Sequence, residues 1–331
     1  MRQILQYHPV IGYTFVPGIR ARLDNDAQGY FLRANETGFR SEREFVKDKA
    51  LGVFRILLFG DSFTAGDSVS NKDRYSDQIE QIAENVEIYN FGLPGTGTDQ
   101  QYLAYREIGR HFEHDLVMIC VLVENIRRIV ARYRNYDDDA GKDRLFAKPY
   151  FELTESGSLE LRHVPVARGP IAEDALPETE RQHVDRGGHN QLLRRVVNAL
   201  GSRVKDHAQR LSRYQPLPAY DDPESYDWRL MKAILRQWTS ESDTPVLICP
   251  IPLYQYVEET ASPDGYRSRF AELAAWNDVF VHDPLDDMCR VPIEERRSYR
   301  FPRDVHPTKE GHLVLARSFA RGILRVRSAT K

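Results

Sequence analysis

The sequence predicts an α/β fold in which helices cover both faces of a five-stranded parallel sheet. Five short runs rich in Val, Ile and Leu have the length and the unbroken apolar character of strands that are buried on both faces. Segments with apolar residues at helical spacing separate these runs, and strands that alternate with helices form parallel sheets. The predicted strands are residues 54–59, 86–89, 116–123, 246–251 and 279–282.

Between these strands, apolar residues recur every three or four positions, which is typical of amphipathic helices that pack on a sheet. Thr98 and Gln101 have the spacing of a capping box, which predicts Thr98 as the N-cap of the helix with the Tyr102 stripe. The predicted apolar stripes are Tyr75, Ile79 and Ile82; Tyr102, Tyr105, Ile108 and Phe112; Leu193, Val197, Leu200 and Val204; Trp228, Met231, Leu235 and Trp238; and Leu313, Ala316, Phe319 and Ile323.

Two segments depart from this alternation. Residues 1–50 are rich in Gly, Pro, Asn and aromatic residues, and we expect a β-rich elaboration that packs on a main domain of residues 51–331. Residues 127–226 form a long insertion between the third and fourth strands, with a hairpin signal around Ser156-Gly157-Ser158 followed by a helix. Because long insertions over parallel sheets often shape the binding site, we interpret this one as a lid or a specificity element.

The composition excludes several classes of protein. The 331 residues carry 46 basic and 49 acidic side chains, so nothing indicates a basic surface for nucleic acid. No apolar run approaches the roughly 20 residues of a membrane-spanning helix, and the first residues lack the apolar core of a secretion signal. Cys120, Cys249 and Cys289 have neither disulfide nor zinc spacing. We therefore expect a cytoplasmic protein.

Polar residues follow the predicted strands at the places where a parallel sheet binds its ligands, at the carboxyl ends of the strands. One strand end supplies a hydroxyl, one supplies glycine amides, one supplies a side-chain amide and the last supplies an imidazole near a carboxylate. These are the parts of a serine hydrolase. The residues are Gly60-Asp61-Ser62 after the first strand, residues 90–100 after the second, Asn125 after the third, and Asp304 and His306 beyond the fifth.

The chemistry of each group predicts its role. A serine hydroxyl needs a base to take its proton, and histidine alone has an unperturbed pKa near neutrality, so Ser62 is the predicted nucleophile and His306 the base. Asp304 is the predicted orienting acid, with Asp283 and Asp286 as alternatives. The predicted oxyanion donors are the amides of Ser62 and Gly95 and the side chain of Asn125, with Gly92 and Gly97 as alternatives to Gly95.

The same residues resemble the sequence blocks of the SGNH hydrolases, also called GDSL hydrolases. GDSFT (residues 60–64) is similar to the first block, NFGLPGTGTDQ (90–100) to the second, and DVHPTKEGH (304–312) to the fifth, while Asn125 falls where the third block has its asparagine. The resemblance covers about residues 54–125 and 245–325. It implies a flavodoxin-like three-layer α/β/α sandwich, ester hydrolysis and a Ser-His-Asp triad without the nucleophile elbow G-x-S-x-G.

Two blocks depart from the family pattern. The third block usually reads Gly-x-Asn-Asp, whereas here Val123-Glu124-Asn125-Ile126 lacks the final aspartate. The fifth block usually places its acid three residues before the histidine, a position that Arg303 holds here, while Asp304 lies two residues before His306. The two-residue spacing resembles acyl-transfer branches of the family that include polysaccharide O-acetyltransferases.

The sequence therefore predicts a serine hydrolase that cleaves an acyl ester of a small or carbohydrate-like alcohol, with neither a metal nor an organic cofactor. Two alternatives stay open: an acyltransferase that passes the acyl group from Ser62 to an alcohol or amine, and an inactive binding protein that keeps the fold. Arg127 and Arg128 follow Asn125 and are predicted to line the substrate pocket. Asp61 is interpreted as a structural hydrogen-bonding group, and residues 35–40 (NETGFR) as a turn with a structural arginine. The oligomeric state is not predicted.

Overall fold

The computed structural model describes residues 4–24, 29–137, 143–185, 215–302 and 304–330. Its centre is a parallel sheet of five strands: β5 (Phe54–Phe59), β6 (Val86–Asn90), β7 (Leu116–Leu122), β13 (Val246–Ile251) and β14 (Val279–Val281). The five strands match the predicted runs to within a residue at each end. Their side chains are almost all buried, as expected for strands covered on both faces.

The order of the strands across the sheet is β14-β13-β7-β5-β6, and every neighbouring pair is parallel. In chain order this is the 2-1-3-4-5 arrangement of flavodoxin-like folds, so the predicted fold class is confirmed. The order reverses between β5 and β7, which leaves a crevice at their carboxyl ends. Ser62 follows β5 and Asn125 follows β7, so two predicted site residues lie at this switch point.

Helices form the outer layers. The described helices are α1 (Ser62–Ala65), α2 (Tyr75–Ile82), α3 (Thr98–Glu107), α4 (Asn125–Arg128), α5 (Glu178–Arg181), α6 (Tyr226–Ser240), α7 (Tyr254–Val257), α8 (Asp264–Ala271), α9 (Leu285–Met288), α10 (Ile293–Arg296) and α11 (Lys309–Ala329). Helices α2 and α11 pack against each other, and so do α3 and α6. Trp238 of α6 packs edge-on against Phe59 of strand β5, with ring centroids 5.2 Å apart. The predicted stripe from Leu193 to Val204 lies outside the described residues.

The first 50 residues contribute two antiparallel hairpins, β1 (Leu5–His8) with β2 (Gly12–Phe15), and β3 (Arg20–Asp24) with β4 (Gly29–Arg33). Apolar residues of this segment, such as Phe15 and Phe39, are fully buried in the same core as the central sheet. The division of the chain into domains stays a prediction.

Residues 35–40 form a turn in which Gly38 has φ = +85°, and a Cβ there would lie 2.9 Å from the Phe15 carbonyl oxygen. The turn directs Arg40 into the core, where the guanidinium donates to the carbonyl oxygens of Gly66 and Val69 at 2.6 and 2.8 Å. Burial lowers the pKa of Arg40 to about 10. The interpretation of this motif as a turn with a structural arginine agrees with these contacts, and Arg40 holds the loop that follows α1.

The insertion supplies a second small sheet and a hairpin. Strands β8 (Tyr133–Asp137), β9 (Asp143–Ala147) and β12 (Val184–Asp185) form the sheet in the order β12-β8-β9. The predicted hairpin is formed by β10 (Tyr150–Leu153) and β11 (Leu159–Arg162). Lys148, just before the hairpin, is buried and forms an ion pair with the fully buried Asp99 at the start of α3. This pair ties the insertion to helix α3.

Candidate active site

Ser62 is the first residue of the short helix α1. Asp61 caps this helix, and its Oδ1 accepts a hydrogen bond from the Phe63 amide at 3.0 Å. The helix ends at Gly66, where φ is +80° and a Cβ would lie 2.3 Å from Cγ of Arg74. Only glycine fits such a left-handed and crowded position. The turn therefore presents Ser62 at the end of β5, with 6% of the residue exposed.

His306 and Asp304 form the second part of the site. Nδ1 of His306 lies 2.7 Å from Oδ1 of Asp304, and the His306 amide donates to the same oxygen at 3.2 Å. These two bonds show how an acid two residues before the histidine reaches its ring. Oδ2 of Asp304 accepts from the Ser68 hydroxyl at 2.7 Å. Both oxygens of the carboxylate thus have donors, and the ring's Nε2 is left for chemistry.

The charges around His306 adjust its basicity. Burial lowers the pKa of His306, but its hydrogen bond to Asp304 raises it. The carboxylates of Asp67 and Asp61 raise it further, and the net result is a pKa above the ordinary 6.5. Burial raises the pKa of Asp304, yet the bonds from His306 and Ser68 outweigh this and hold that pKa at about 2. Asp304 is therefore a carboxylate near neutral pH, as an orienting acid must be.

His306 contacts the residue that follows Ser62, and no direct hydrogen bond joins the two predicted catalytic residues. The His306 ring contacts the ring of Phe63, the residue after Ser62, with centroids 5.5 Å apart. Among the described residues, the side-chain hydrogen bond of His306 goes to Asp304, not to Ser62. Catalytic hydrogen bonds are often longer without substrate and tighten in the Michaelis complex. The arrangement therefore places the predicted nucleophile and base at the same edge of the sheet.

The three predicted oxyanion donors have no acceptors among the described residues. Asn125 is fully buried, and neither its Oδ1 nor its Nδ2 has a hydrogen-bond partner. The amides of Ser62 and Gly95 likewise meet no acceptor in the described part of the chain. Buried polar groups are nearly always paired, and the exceptions need an explanation. An oxyanion hole explains the unpaired donors, because its hydrogen-bond donors have an acceptor only when substrate is bound.

The alternative glycines differ in the use of their amides. The amide of Gly92 donates to Oδ1 of Asn90 at 2.8 Å, and a Cβ there would lie 2.4 Å from the Ala65 nitrogen. The lack of a side chain at Gly92 thus allows the second block to pack closely against α1. Gly97 is the residue that caps α3. Gly95 has φ = +75° and lies in the loop between Gly92 and the helix.

Arg128 connects the three loops that carry the oxyanion donors. Its Nη1 lies 2.6 Å from Oδ2 of the fully buried Asp61 and 3.3 Å from the Thr96 carbonyl oxygen. Asp61 precedes Ser62, Thr96 follows Gly95, and Arg128 itself ends the helix that begins at Asn125. The interpretation of Asp61 as a structural group agrees with this contact. In this structure the Arg128 guanidinium contacts Asp61 and Thr96, and its place in the substrate pocket stays a prediction.

The other predicted polar residues also have protein partners. Arg127 donates to the carbonyl oxygen of Pro216, and the prediction that it lines the pocket stays a prediction. Asp283 accepts from Arg267 at 3.0 Å, and Asp286 pairs with the same arginine at 2.8 Å. These contacts occupy both alternatives to Asp304, and the His306 ring is held by Asp304.

Sequence reasoning missed Ser68 and His312. Ser68 has φ = +72°, a conformation that is uncommon for a residue with a side chain, and it bonds to Asp304, 236 positions away. His312 is buried, and its Nδ1 accepts from the Tyr75 amide at 3.2 Å. Burial and nearby arginines lower the pKa of His312 to about 3, so it stays neutral. No local pattern signals either contact, because each joins distant parts of the chain.

The family follows from the sequence of most of the chain. Residues 58–314 match the GDSL-like lipase/acylhydrolase family. The chain belongs to this family. The match begins at the end of the first strand and runs through the block with His306, so Ser62, Gly95, Asn125 and His306 all lie inside it. Family membership supports a hydrolase in general terms and leaves the substrate open.

Comparison with solved structures returns members of the same group at low sequence identity. A lipolytic protein of the G-D-S-L family from Veillonella parvula shares 12% identity over 81% of this chain and 97% of its own, with a TM-score of 0.43. An acetyl xylan esterase from Geobacillus stearothermophilus shares 14% identity over 84% of this chain and 97% of its own, also with a TM-score of 0.43. No curated protein matches this sequence. These distant likenesses carry nothing about substrate.

Two further observations concern the described residues alone. None of the described helices has the length and apolar character that crossing a bilayer requires. In the same part of the chain, no group of three or more His, Cys, Asp or Glu side chains is arranged to hold a metal ion.

Proposed function

We propose that this protein is a serine hydrolase that cleaves an acyl ester of a small or carbohydrate-like alcohol through an acyl-Ser62 intermediate. The observation that carries the proposal is the His306–Asp304 pair, with Nδ1 and Oδ1 2.7 Å apart, beside the turn that presents Ser62. A bond from Nδ1 to a carboxylate holds Nε2 ready to accept a proton. The pair therefore has the form that a base needs to activate a serine.

The first half-reaction forms the acyl-enzyme. Oγ of Ser62 attacks the ester carbonyl carbon while its proton passes to Nε2 of His306, and the carbonyl oxygen becomes an oxyanion. The amides of Ser62 and Gly95 and Nδ2 of Asn125 donate to this oxyanion. When the tetrahedral intermediate collapses, the C–O bond to the alcohol breaks, and the proton on His306 passes to the leaving oxygen.

The second half-reaction releases the acid. Water attacks the acyl carbon, His306 takes the water proton, and the bond to Oγ of Ser62 breaks as that proton returns to the serine. Asp304, ionised because its pKa is about 2, stabilises the imidazolium that forms in both halves. The same three donors stabilise the oxyanion in both half-reactions, so one oxyanion hole is sufficient for the whole cycle.

A panel of activated and natural acyl esters tests the proposal. The panel should vary the acyl chain from acetyl upward and include acetylated sugars, with Ser62→Ala and His306→Ala as inactive controls. We expect wild-type protein to release acid and alcohol in equal amounts, and each variant to lose at least about 10³-fold in kcat. Product analysis with added alcohols or amines reports acyl transfer. No turnover of any ester by folded wild-type protein would contradict the proposal.

A further inference from the structure

We infer that Tyr13 is a positioning residue that orients the Gly95 amide as an oxyanion donor, and that Tyr136 of the insertion supports it. The inference rests on the proposed function, because it assigns a role within the same site. Its starting point is one contact: the Tyr13 hydroxyl donates to the carbonyl oxygen of Pro94. That oxygen belongs to the same peptide unit as the Gly95 amide.

Because the peptide unit is planar, this contact fixes the direction of the Gly95 N–H. In a trans peptide the C=O and N–H groups lie in one plane and point in opposite directions. The one cis bond among the described residues is Val164-Pro165, so the Pro94-Gly95 bond is trans. A donor on the Pro94 oxygen therefore fixes the plane, and with it the direction of the Gly95 N–H. That N–H points away from Tyr13 and meets no acceptor among the described residues.

A second contact holds the peptide on the other side of Gly95. Nη1 of Arg134 donates to the Gly95 carbonyl oxygen, and Arg134 is paired with Asp185 at 3.2 Å. Gly95 lies tightly under these groups, since a Cβ there would lie 3.2 Å from Cζ of Arg134 and 3.4 Å from the Tyr13 oxygen. With φ = +75° at Gly95, both its size and its conformation favour glycine.

Tyr136, in the insertion, extends the contact between Tyr13 and Pro94 into a chain of hydrogen bonds. We call the chain from Tyr136 through Tyr13 to the Pro94 carbonyl oxygen the relay. The Tyr136 hydroxyl donates to the Tyr13 oxygen at 3.0 Å, and the two rings pack edge to face with centroids 5.6 Å apart. Arg134 and Tyr136 are two positions apart on β8, so both project from one face of that strand. Hydrogen bonds in a chain polarise one another, which strengthens the bond to Pro94 and the acidity of the Gly95 N–H.

The relay assigns a role to two segments outside the catalytic blocks. Tyr13 comes from the first hairpin of the chain and Arg134 and Tyr136 from the insertion, and all three converge on the Pro94-Gly95 segment. Burial raises the pKa of Tyr13 well above its ordinary value, so its hydroxyl remains a donor throughout the neutral range. The oxyanion donor of the second block is thus held from outside its own loop.

The test compares Tyr13→Phe with Tyr7→Phe. Tyr7 is the cross-strand partner of Tyr13 in the hairpin, and its hydroxyl donates to the Val166 carbonyl oxygen at 2.7 Å, so it is a matched control. We expect Tyr13→Phe to lower kcat by about 10- to 100-fold, below the about 10²–10³-fold loss from deletion of a donor, with KM unchanged. We expect Tyr136→Phe to have a smaller effect of the same kind and Tyr7→Phe to have none.

A spectroscopic readout tests the hydrogen bond without reference to turnover. The sequence contains two Pro-Gly pairs, Pro17-Gly18 and Pro94-Gly95, so carbonyl-labelled proline with ¹⁵N-glycine yields two amide signals. Tyr13→Phe should shift the Gly95 signal and leave the Gly18 signal, whose amide donates to the Asn35 carbonyl oxygen, in place. Tyr7→Phe should shift neither signal.

The outcomes separate the inference from the proposed function. A shifted Gly95 signal with lowered kcat and unchanged KM supports the inference. An unshifted Gly95 signal, or a shifted signal with wild-type kcat, overturns it while the hydrolase stands. If wild-type protein turns over no ester, the proposed function itself is overturned. That result comes from wild-type protein alone and does not depend on any Tyr13 variant.

Discussion

Nη1 of Arg128 lies 2.6 Å from Oδ2 of Asp61, and this ion pair joins the loop of the predicted nucleophile to the helix of the predicted oxyanion asparagine. Asp61 is fully buried, and 13% of the Arg128 side chain is exposed. The pair accounts for an aspartate beside Ser62 that takes no part in proton transfer.

Removal of one partner from this pair should destabilise the fold. Arg128→Ala leaves a buried carboxylate without its counterion, which typically costs about 3–5 kcal/mol. We expect a loss of that size in the free energy of unfolding, measured by urea denaturation. Arg127→Ala is the matched control, because Arg127 is the adjacent arginine and its guanidinium donates to a main-chain oxygen, not to a buried carboxylate. Equal stability of the two variants would show that Arg128 is not the support described here.

Asn125 should show the opposite behaviour, a loss of activity without a loss of stability. Its side chain is buried and unpartnered, so Asn125→Leu breaks no protein hydrogen bond. We expect unchanged or higher stability and a fall in kcat of about 10²–10³-fold, because an oxyanion donor is lost. Asn90→Leu is the contrasting variant, since Asn90 bonds to Thr64 and Ser76 at 2.8 and 2.9 Å and should be destabilised by about 1–3 kcal/mol. A strongly destabilised Asn125→Leu would point to a structural role.

Ser68 should matter through its hydroxyl. Ser68→Ala and Ser68→Gly both remove the donor to Asp304, and glycine also relieves the backbone at φ = +72°. We expect kcat to fall by about 10- to 100-fold in both, since a bond to a charged group contributes about 1.5–3 kcal/mol. Ser70→Ala on the same loop serves as the control. Wild-type kcat in the glycine variant alone would mean that backbone strain, not the hydroxyl, is what alanine disturbs.

The pH dependence of kcat/KM should report His306. A base must be neutral, so activity should fall as pH decreases through the pKa of His306, which lies above 6.5. The charge of Asp67 raises this pKa, so Asp67→Asn should lower it and move the acid limb toward lower pH. Asp73→Asn, whose partner Lys309 is on the surface, should leave the limb in place. A limb that moves upward in Asp67→Asn would contradict the assigned electrostatics.

Asp304 is distinguished from its alternatives by a pair of substitutions. Asp304→Asn keeps the size of the side chain but turns the acceptor on the His306 ring into an amide, and we expect kcat to fall by about 10⁴-fold. Asp286→Asn, which loses an exposed pair with Arg267, should keep wild-type kcat. If Asp304→Asn kept wild-type kcat and Asp286→Asn lost it, the orienting acid would be Asp286 and not Asp304.

The sheet was predictable because its strands are buried on both faces and therefore have an unbroken apolar sequence. Helix ends were less so: α3 begins one residue after Gly97, which takes the capping position, so the prediction of Thr98 as the cap was wrong. The predicted stripe of that helix also continued to Phe112, but the helix ends at Glu107 and a 3₁₀ turn follows at Gly109–His111. Gly97 has the extended backbone of a cap, with φ = −88° and ψ = 170°, and no side chain caps the helix.

The candidate site was predictable where its residues follow strands, and not where they meet across the fold. Ser62, Asn125 and His306 follow elements that the sequence places, whereas the contacts of Arg128 with Asp61 and of Tyr13 with Pro94 join segments 67 and 81 positions apart. No local spacing records such pairs. Arg128 illustrates the consequence, because its position beside Asn125 suggested a substrate contact and its geometry gives an internal one.

The most direct test of the central claim is covalent labelling by a fluorophosphonate, read by intact mass and peptide mapping. Such a probe reacts with a serine that a neighbouring base activates, so we expect one adduct on Ser62 in wild-type protein. We expect no adduct in Ser62→Ala, a much slower reaction in His306→Ala and an unchanged rate in Tyr7→Phe, whose lost hydroxyl bonds to the Val166 carbonyl oxygen. Folded wild-type protein that stays unlabelled, or that is labelled at another residue, would contradict the account.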